Sequence, residues 1–131
     1  MAPTERRTIR RLVGVYDANG TVGGELAYWI GARLGRTHCA LCEVTHGLVG
    51  ERAAWRTCRD GLPVVFDTYH RNDQPDAVRA AAMGEAPIVF AETADGLVRL
   101  LGSTDLDACD GIPERLEAAI EKAIRIQQLE W

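Results

Sequence analysis

Three short runs of β-branched and aromatic residues, interleaved with helical patterns, restrict this chain to an α/β arrangement. The first run, "LVGVY", lies in a segment that predicts a buried strand over about residues 10–16, and "LPVVFDTYH" predicts a second strand. The third run, "APIVFAETADGLVRLLG", predicts two strands joined at Asp95-Gly96, since both residues tolerate the positive φ of a tight hairpin turn.

Apolar residues at helical spacing occupy the segments between and after these runs. "GELAYWIGARLG" predicts a helix that ends at Gly35, and "GERAAWRTCRDG" predicts another that ends at Gly61. "NDQPDAVRAAAMG" predicts a third helix, with Asp73 as its N-cap and Pro75 near its first turn. Pro113 opens a last helix, whose apolar face carries Leu116, Ala119, Ile120, Ala123 and Ile124. The predicted order is β-α-(Cys/His loop)-α-β-α-β-β-α.

Length and composition predict one domain over residues 1–131, with residues 1–7 as a flexible basic N-terminus. Hydrophobic residues make up 47% of the chain and charged residues 26%, and the net charge of −4 argues against a nucleic-acid binder. No apolar run approaches the ~20 residues of a membrane span, and "LVGVY" is too short for a signal-peptide core. We therefore expect a cytoplasmic protein without a membrane partner, in which the four cysteines stay reduced.

The predicted element order over about residues 8–126 resembles the thioredoxin-like fold, in which a β-α-β half precedes a β-hairpin and a terminal helix. This resemblance implies a central mixed sheet of about four strands flanked by helices. Thioredoxin-like proteins carry a cis-proline that opens the third strand and faces the active site, and Pro87 of Ala86-Pro87 resembles that residue. Proline at the first residue of a strand is also a common structural position.

The chain departs from that family where the family places its catalytic cysteines. Thioredoxins carry Cys-x-x-Cys directly after the first strand, but this chain has "DANGTVGGE" there, without cysteine. The usual thioredoxin mechanism therefore does not transfer. The phrase "THCALCEVTHG" itself resembles the motif Cys-x-Leu-Cys-[Asp/Glu]-[Ile/Val]-Thr-His-Gly of a small bacterial family, and that resemblance implies no activity.

The stretch from His38 to His46 holds two cysteines and two histidines, which is typical of a transition-metal site. Thiolate sulfur and imidazole nitrogen suit zinc, copper or iron. The spacing of Cys39 and Cys42 lets two sulfurs hold one ion from a tight turn, and His46 supplies a third ligand. Three protein ligands with an open position are typical of a catalytic metal. The candidates for the fourth position are water, His38, His70 and Cys58.

The same cysteines fit two other interpretations. In a thiol–disulfide oxidoreductase Cys39 would attack and Cys42 would resolve, with His38 lowering the pKa of the adjacent thiol. Alternatively, both cysteines are small buried hydrophobic residues on a turn, because free cysteine is among the most buried residue types. A binding module with a purely structural metal is a further alternative.

Three polar residues are candidates for catalysis beside the Cys/His stretch. Glu43 is placed to act as a general base or as an acceptor for a metal-bound histidine, or it is an exposed loop acid. Tyr16 and Asp17 end the first predicted strand, and ligand sites in α/β sheets form beyond the carboxyl ends of strands. The expected partner is a small-molecule or thiol substrate, and Trp131 with the last helix makes a homodimer a second candidate.

Overall fold

The structure is a computed structural model that describes residues 7–17, 41, 46–47, 50–51 and 53–131. The strands and helices of these residues are numbered in chain order. The strands are β1 (Arg7–Thr8), β2 (Arg11–Val15), β3 (His46–Gly47), β4 (Gly50–Glu51), β5 (Phe66–Tyr69), β6 (Ile88–Thr93), β7 (Gly96–Leu101) and β8 (Leu129–Glu130). The helices are α1 (Ala53–Asp60), α2 (Asp76–Ala82), α3 (Ser103–Asp107) and α4 (Pro113–Ile126).

A mixed four-stranded sheet with the order β5-β2-β6-β7 organises the described residues. Strand β2 runs parallel to β5 and antiparallel to β6, and β6 runs antiparallel to β7. The expectation of an α/β protein with a mixed sheet of about four strands is therefore confirmed. Two further pairs lie outside this sheet: β1 with β8 in parallel, and β3 with β4 antiparallel.

Strand β2 is buried on both faces, which explains why its sequence is almost continuously apolar. It spans Arg11–Val15, within one residue at each end of the predicted strand. Because successive side chains alternate, Leu12 and Tyr16 pack on one face with Trp55 and the apolar stripe of α4. Val13 and Val15 pack on the other face with residues of α2 and β6.

The predicted hairpin is present as β6 and β7, but its turn differs from the expected one. Thr93 pairs with Gly96, so the turn residues are Ala94 and Asp95. Gly96 has a φ of 117°, and Asp95 is not among the described residues with positive φ. Thr93 Oγ1 accepts a hydrogen bond from Asp95 N at 3.2 Å and donates one to Gly96 O at 3.1 Å. The threonine hydroxyl therefore stabilises a turn that needs positive φ only at the glycine.

Three predicted helices are observed, and two of them begin later than expected. Helix α1 begins at Ala53, because Gly50 and Glu51 form β4 instead. Helix α2 begins at Asp76 with Pro75 as its N-cap and without a side-chain cap, so the prediction of Asp73 as N-cap is wrong. Helix α4 begins at Pro113 as predicted.

Helix α3 was not predicted, and the helix predicted to end at Gly35 lies outside the described residues. The Ala86–Pro87 peptide bond is cis, the geometry that the resemblance implies at this position. Within the ranges that the structure describes, no helix combines the length and apolar character needed to cross a membrane.

Candidate functional site

The carboxyl ends of the parallel strands β2 and β5 meet at one end of the sheet and bring Tyr16 beside His70. Val15 pairs with Tyr69, and Tyr16 N donates a hydrogen bond to Tyr69 O at 2.8 Å, so the strands stay in register to their last residues. The rings of Tyr16 and His70 lie 5.3 Å apart between centroids, tilted by 49°. Tyr16 is only 3% exposed, so its ring forms a buried wall against the imidazole.

Asp73 holds His70 through both its backbone and its ring. One carboxylate oxygen lies 3.0 Å from His70 Nδ1, and the other accepts a hydrogen bond from His70 N at 2.5 Å. The turn is closed by bonds from Asp73 N and Gln74 N to His70 O, at 3.3 and 3.1 Å. The side chain of His70 is 24% exposed. Because the carboxylate lies within hydrogen-bond distance of Nδ1, this contact favours the tautomer that carries its proton on Nδ1.

Asp17, one of the predicted catalytic residues, forms an ion pair with Arg71 across the same strand ends. The guanidinium Nε donates to Asp17 Oδ1. The pairing with Arg71 makes Asp17 an anchor for the turn after β5. The role of Asp17 that fits this geometry is to position the segment that carries His70.

Leu41 lies between Cys39 and Cys42 in the sequence, and within that motif it is the residue whose side chain the structure describes. It is fully buried in the same core cluster as Tyr16 and Trp55. A Cβ added at Gly14 would lie 3.1 Å from Leu41 Cδ2 and 2.9 Å from a ring carbon of Phe66. Gly14 precedes Tyr16 by two residues, so Leu41 packs on the sheet face to which Tyr16 belongs.

Most of the predicted metal ligands are not among the residues that the structure describes. Cys39, Cys42, His38 and Glu43 lie outside the described residues. His46 is described by its backbone alone, as the residue of β3 that pairs with Glu51 of β4. Taken by themselves, the described residues contain no group of three or more His, Cys, Asp and Glu that could hold a metal ion.

The other two cysteines are buried or half-buried thiols rather than reactive ones. Burial raises the pKa of Cys58, with a further contribution from its hydrogen bond to Glu117 of α4. Burial also raises the pKa of Cys109, whose Sγ lies 3.6 Å from Asp105 O. A raised pKa disfavours the thiolate, the form that binds metal and attacks disulfides. Of the predicted candidates for a fourth ligand that the structure describes, His70 is therefore better suited than Cys58.

Pro87 lies at the same end of the sheet, on the other side of β2 from His70. Val15 pairs with Ile88, so the residue before Ile88 comes next to Tyr16 as the antiparallel register continues. Ser103 Oγ donates to Pro87 O at 3.2 Å, which ties the start of α3 to this position. Pro87 precedes a central strand of the sheet, because β6 lies between β2 and β7. The expected closeness of Pro87 to the Cys/His stretch lies outside the described residues.

The residues that hold Pro87 in place were not predicted. Glu85 accepts hydrogen bonds from Ser103 N and from the Arg99 guanidinium, at 2.9 Å each. Sequence patterns would not identify this cluster, since Glu85 lies in a loop, Arg99 in β7 and Ser103 at the start of α3. Asp73 was assigned a different role, although a histidine with an aspartate three residues later in a turn after a strand is a signal that is available in the sequence.

Replacing Glu85 with glutamine is expected to reduce the decrease in the free energy of unfolding that accompanies a fall in pH. The hydrogen bond from Ser103 N, followed by the Arg99 guanidinium, lowers the pKa of Glu85. A group with a lowered pKa stabilises the fold above its unfolded pKa, about 4.3 for glutamate, and loses this contribution as pH falls through the folded pKa. Urea unfolding between about pH 3 and pH 6 should therefore show that the free energy of unfolding decreases less toward low pH in Glu85→Gln than in the parent protein. Glu121→Gln, at an exposed position, serves as the control. The same dependence of stability on pH in all three proteins would contradict the lowered pKa of Glu85.

No family model, curated protein or solved structure matches this chain.

Proposed function

We propose that this protein binds a thiophilic transition metal ion, zinc, copper or iron, through Cys39, Cys42 and His46, with His38 as a further candidate ligand. The observation that carries the proposal is the burial of Leu41, inside the Cys-x-x-Cys motif, against Gly14 and Phe66. This contact brings the residue between the two cysteines onto the sheet face to which Tyr16 belongs.

The donors of the Cys/His stretch fit such an ion by their chemistry. Two thiolates and one or more imidazoles form a soft or borderline donor set, which zinc, copper and iron accept and which magnesium and calcium do not. His70 and Asp73 form the carboxylate–histidine pair that commonly supports metal sites. Such an ion would supply Lewis acidity to a small-molecule or thiol substrate at an open position, with Glu43 and Tyr16 as the polar groups beside it.

The finer fold assignment that belongs to this proposal is a thioredoxin-like domain. The parallel pair β2–β5, the antiparallel hairpin β6–β7 beside β2 and the terminal helix α4 support it. The same strand order favours the second candidate function, a thiol–disulfide oxidoreductase without metal, in which Cys39 attacks and Cys42 resolves. The lack of cysteine in "DANGTVGGE" argues against this alternative.

Changing any of the three main ligands should remove the metal. Protein purified without added metal is measured by elemental analysis, and Cys39→Ala, Cys42→Ala and His46→Ala should each lose most of the bound ion. Cys109→Ala is the matched control, because Cys109 is buried in the core and its metal content should equal that of the parent protein. Metal binding should also weaken as pH falls, since thiolate and neutral imidazole are the ligating forms. Equal metal content in all four variants, or none in the parent protein, would refute the proposal.

A further inference from the structure

We propose that a cleft between α2 and the sheet binds a small organic amine, with the apolar body of the ligand under α2 and its ammonium group on the carboxylate of Glu92. The cleft lies on the face of the sheet that α2 covers, whereas Leu41 packs on the opposite face. This site is therefore separate from the proposed metal site and goes beyond that function.

A row of three side chains across the sheet forms the floor of the cleft. Arg11 of β2 pairs with Glu92 of β6, and Glu92 pairs in turn with Leu97 of β7. Residues that pair across neighbouring strands share a face of the sheet, and Leu97 packs against the buried cluster beneath α2. All three residues line the cleft. The strand register thus sets one guanidinium and one carboxylate beside an apolar side chain.

Small side chains of α2 leave the space above this row unfilled. The helix has seven residues and buries Val78 and Ala82 against the sheet. Ala77 and Ala81, one helical turn apart, line the cleft together with Pro75 and Val78. The cleft has a volume of about 290 Å³, and an apolar cavity of about 150 Å³ already holds benzene. The space therefore fits an aromatic ring or a short hydrocarbon that carries one polar group.

The charges at the floor favour a cationic ligand. Arg11 donates from Nε to Glu92 Oε2 and from Nη1 to Asp67 Oδ2, so one guanidinium serves two carboxylates and one negative charge is left over. Within the described part of the chain, Glu92 Oε1 accepts no hydrogen bond, and 36% of the Glu92 side chain is exposed. An ammonium group in the cleft would gain a charge-assisted hydrogen bond to this oxygen, whereas a carboxylate would be repelled.

The residues around Arg11 hold the floor in place before a ligand arrives. Tyr69 Oη accepts a second hydrogen bond from Arg11 Nη1 at 2.9 Å, and the Tyr69 ring centroid lies 5.9 Å from Arg11 Cζ. A carboxylate that is already positioned reduces the entropy lost on binding. Arg79, the basic residue of α2, donates to Arg71 O at 3.4 Å and does not line the cleft. Its charge therefore does not replace that of a bound ammonium group.

Amide NMR titration of the full chain with three probes of similar size tests the proposal: phenethylamine, the neutral phenethyl alcohol and the anionic hydrocinnamate. We expect phenethylamine to shift the amide signals of Ala81, Gly96 and Leu97 at millimolar concentration and to bind about 10-fold more tightly than the alcohol, since a hydrogen bond to a charged group contributes at least that factor. Hydrocinnamate should bind more weakly than both other probes.

Two pairs of variants locate the site. Glu92→Gln should weaken phenethylamine binding by about 10-fold and remove the preference for the amine over the alcohol, while Glu121→Gln, the same change at an exposed position of α4, should leave both unchanged. Ala81→Leu should abolish binding because leucine fills the cleft. Ala80→Leu is its matched control, since Ala80 is exposed on the same helix and does not line the cleft.

The results that overturn the proposal are specific. They are no amide shift with millimolar phenethylamine, equal affinity for the amine and the alcohol, or tighter binding of hydrocinnamate. Equal affinity of Ala81→Leu and Ala80→Leu for phenethylamine would also overturn it, because the amine would then bind elsewhere. Should Glu92→Gln fail to fold, the two leucine variants and the order of the three probes in the parent protein decide.

Discussion

Gly14→Val is expected to lower the free energy of unfolding by about 3 kcal/mol or more, a large fraction of the stability of a domain of this size. A Cβ at this position would lie 2.9 Å from Phe66 Cε1 and 3.1 Å from Leu41 Cδ2, and valine adds two methyl groups to it. Because β2 is central and both neighbours are buried, relief requires a shift of the packed core. Urea denaturation monitored by circular dichroism measures the change.

A graded pair of alanine variants tests the cause of this loss. Gly14→Ala should cost about 1–3 kcal/mol, since a single methyl group already meets Phe66. Gly61→Ala should cost much less, because its Cβ would meet backbone oxygens at ordinary distances of 3.5 and 3.6 Å. Equal losses at the two positions would show that the close contact at Gly14 has no energetic consequence. Under the proposed function, Gly14→Ala should also weaken metal binding, since it displaces Leu41 between the two cysteines.

Under the proposed function, removal of the metal ion is expected to convert Cys39 and Cys42 from oxidation-resistant to readily oxidised thiols. Coordination occupies the sulfur lone pairs, so mild oxidant should leave the pair unchanged until a chelator withdraws the ion. After chelation the two thiols should form a disulfide that a reductant fully reverses, because exchange requires only accessible thiolates. Alkylation followed by mass spectrometry, with and without chelator, measures the fraction oxidised. Cys58 and Cys109 serve as internal references, since burial raises the pKa of both thiols and slows their reaction.

Two other results of that experiment would change the functional assignment. Rapid disulfide formation that does not depend on the chelator would favour the thiol–disulfide oxidoreductase. Resistance to both oxidant and alkylating agent after chelation would show that Cys39 and Cys42 are buried hydrophobic residues on a turn. Each result excludes the metal site, and the two are distinguished by whether the thiols react at all.

The strands of the sheet were predictable because local sequence and burial agree in them. Strand β2 reads as a continuous apolar run since both of its faces are covered, and β6 is similar. Helix α4 was predictable from its start at Pro113 and from its apolar residues, of which Leu116 and Ile120 are fully buried. In these elements the local sequence alone indicates which side chains face the core.

Elements that depend on distant partners were not predictable. Strand β1 pairs with β8 from the other end of the chain, and no local pattern in two residues signals such a pair. The start of α1 was misplaced because Gly50 and Glu51 pair with Gly47 and His46. Asp73 has the local character of a helix cap, but its carboxylate is already engaged by His70, and Pro75 takes the cap position.

For the site, the sequence by itself determined the chemistry: two thiols and two imidazoles within nine residues, a donor set whose softness selects transition metals. Only the tertiary structure decided which distant groups meet at the carboxyl ends of β2 and β5. The parallel register of β2 and β5 sets His70 beside Tyr16, and Leu41 packs against Gly14 and Phe66 on the same face of the sheet. The physical reason is that donor chemistry resides in side-chain composition, which the sequence states directly. Proximity between strands arises from hydrogen-bond register and core packing, which join residues that are far apart along the chain.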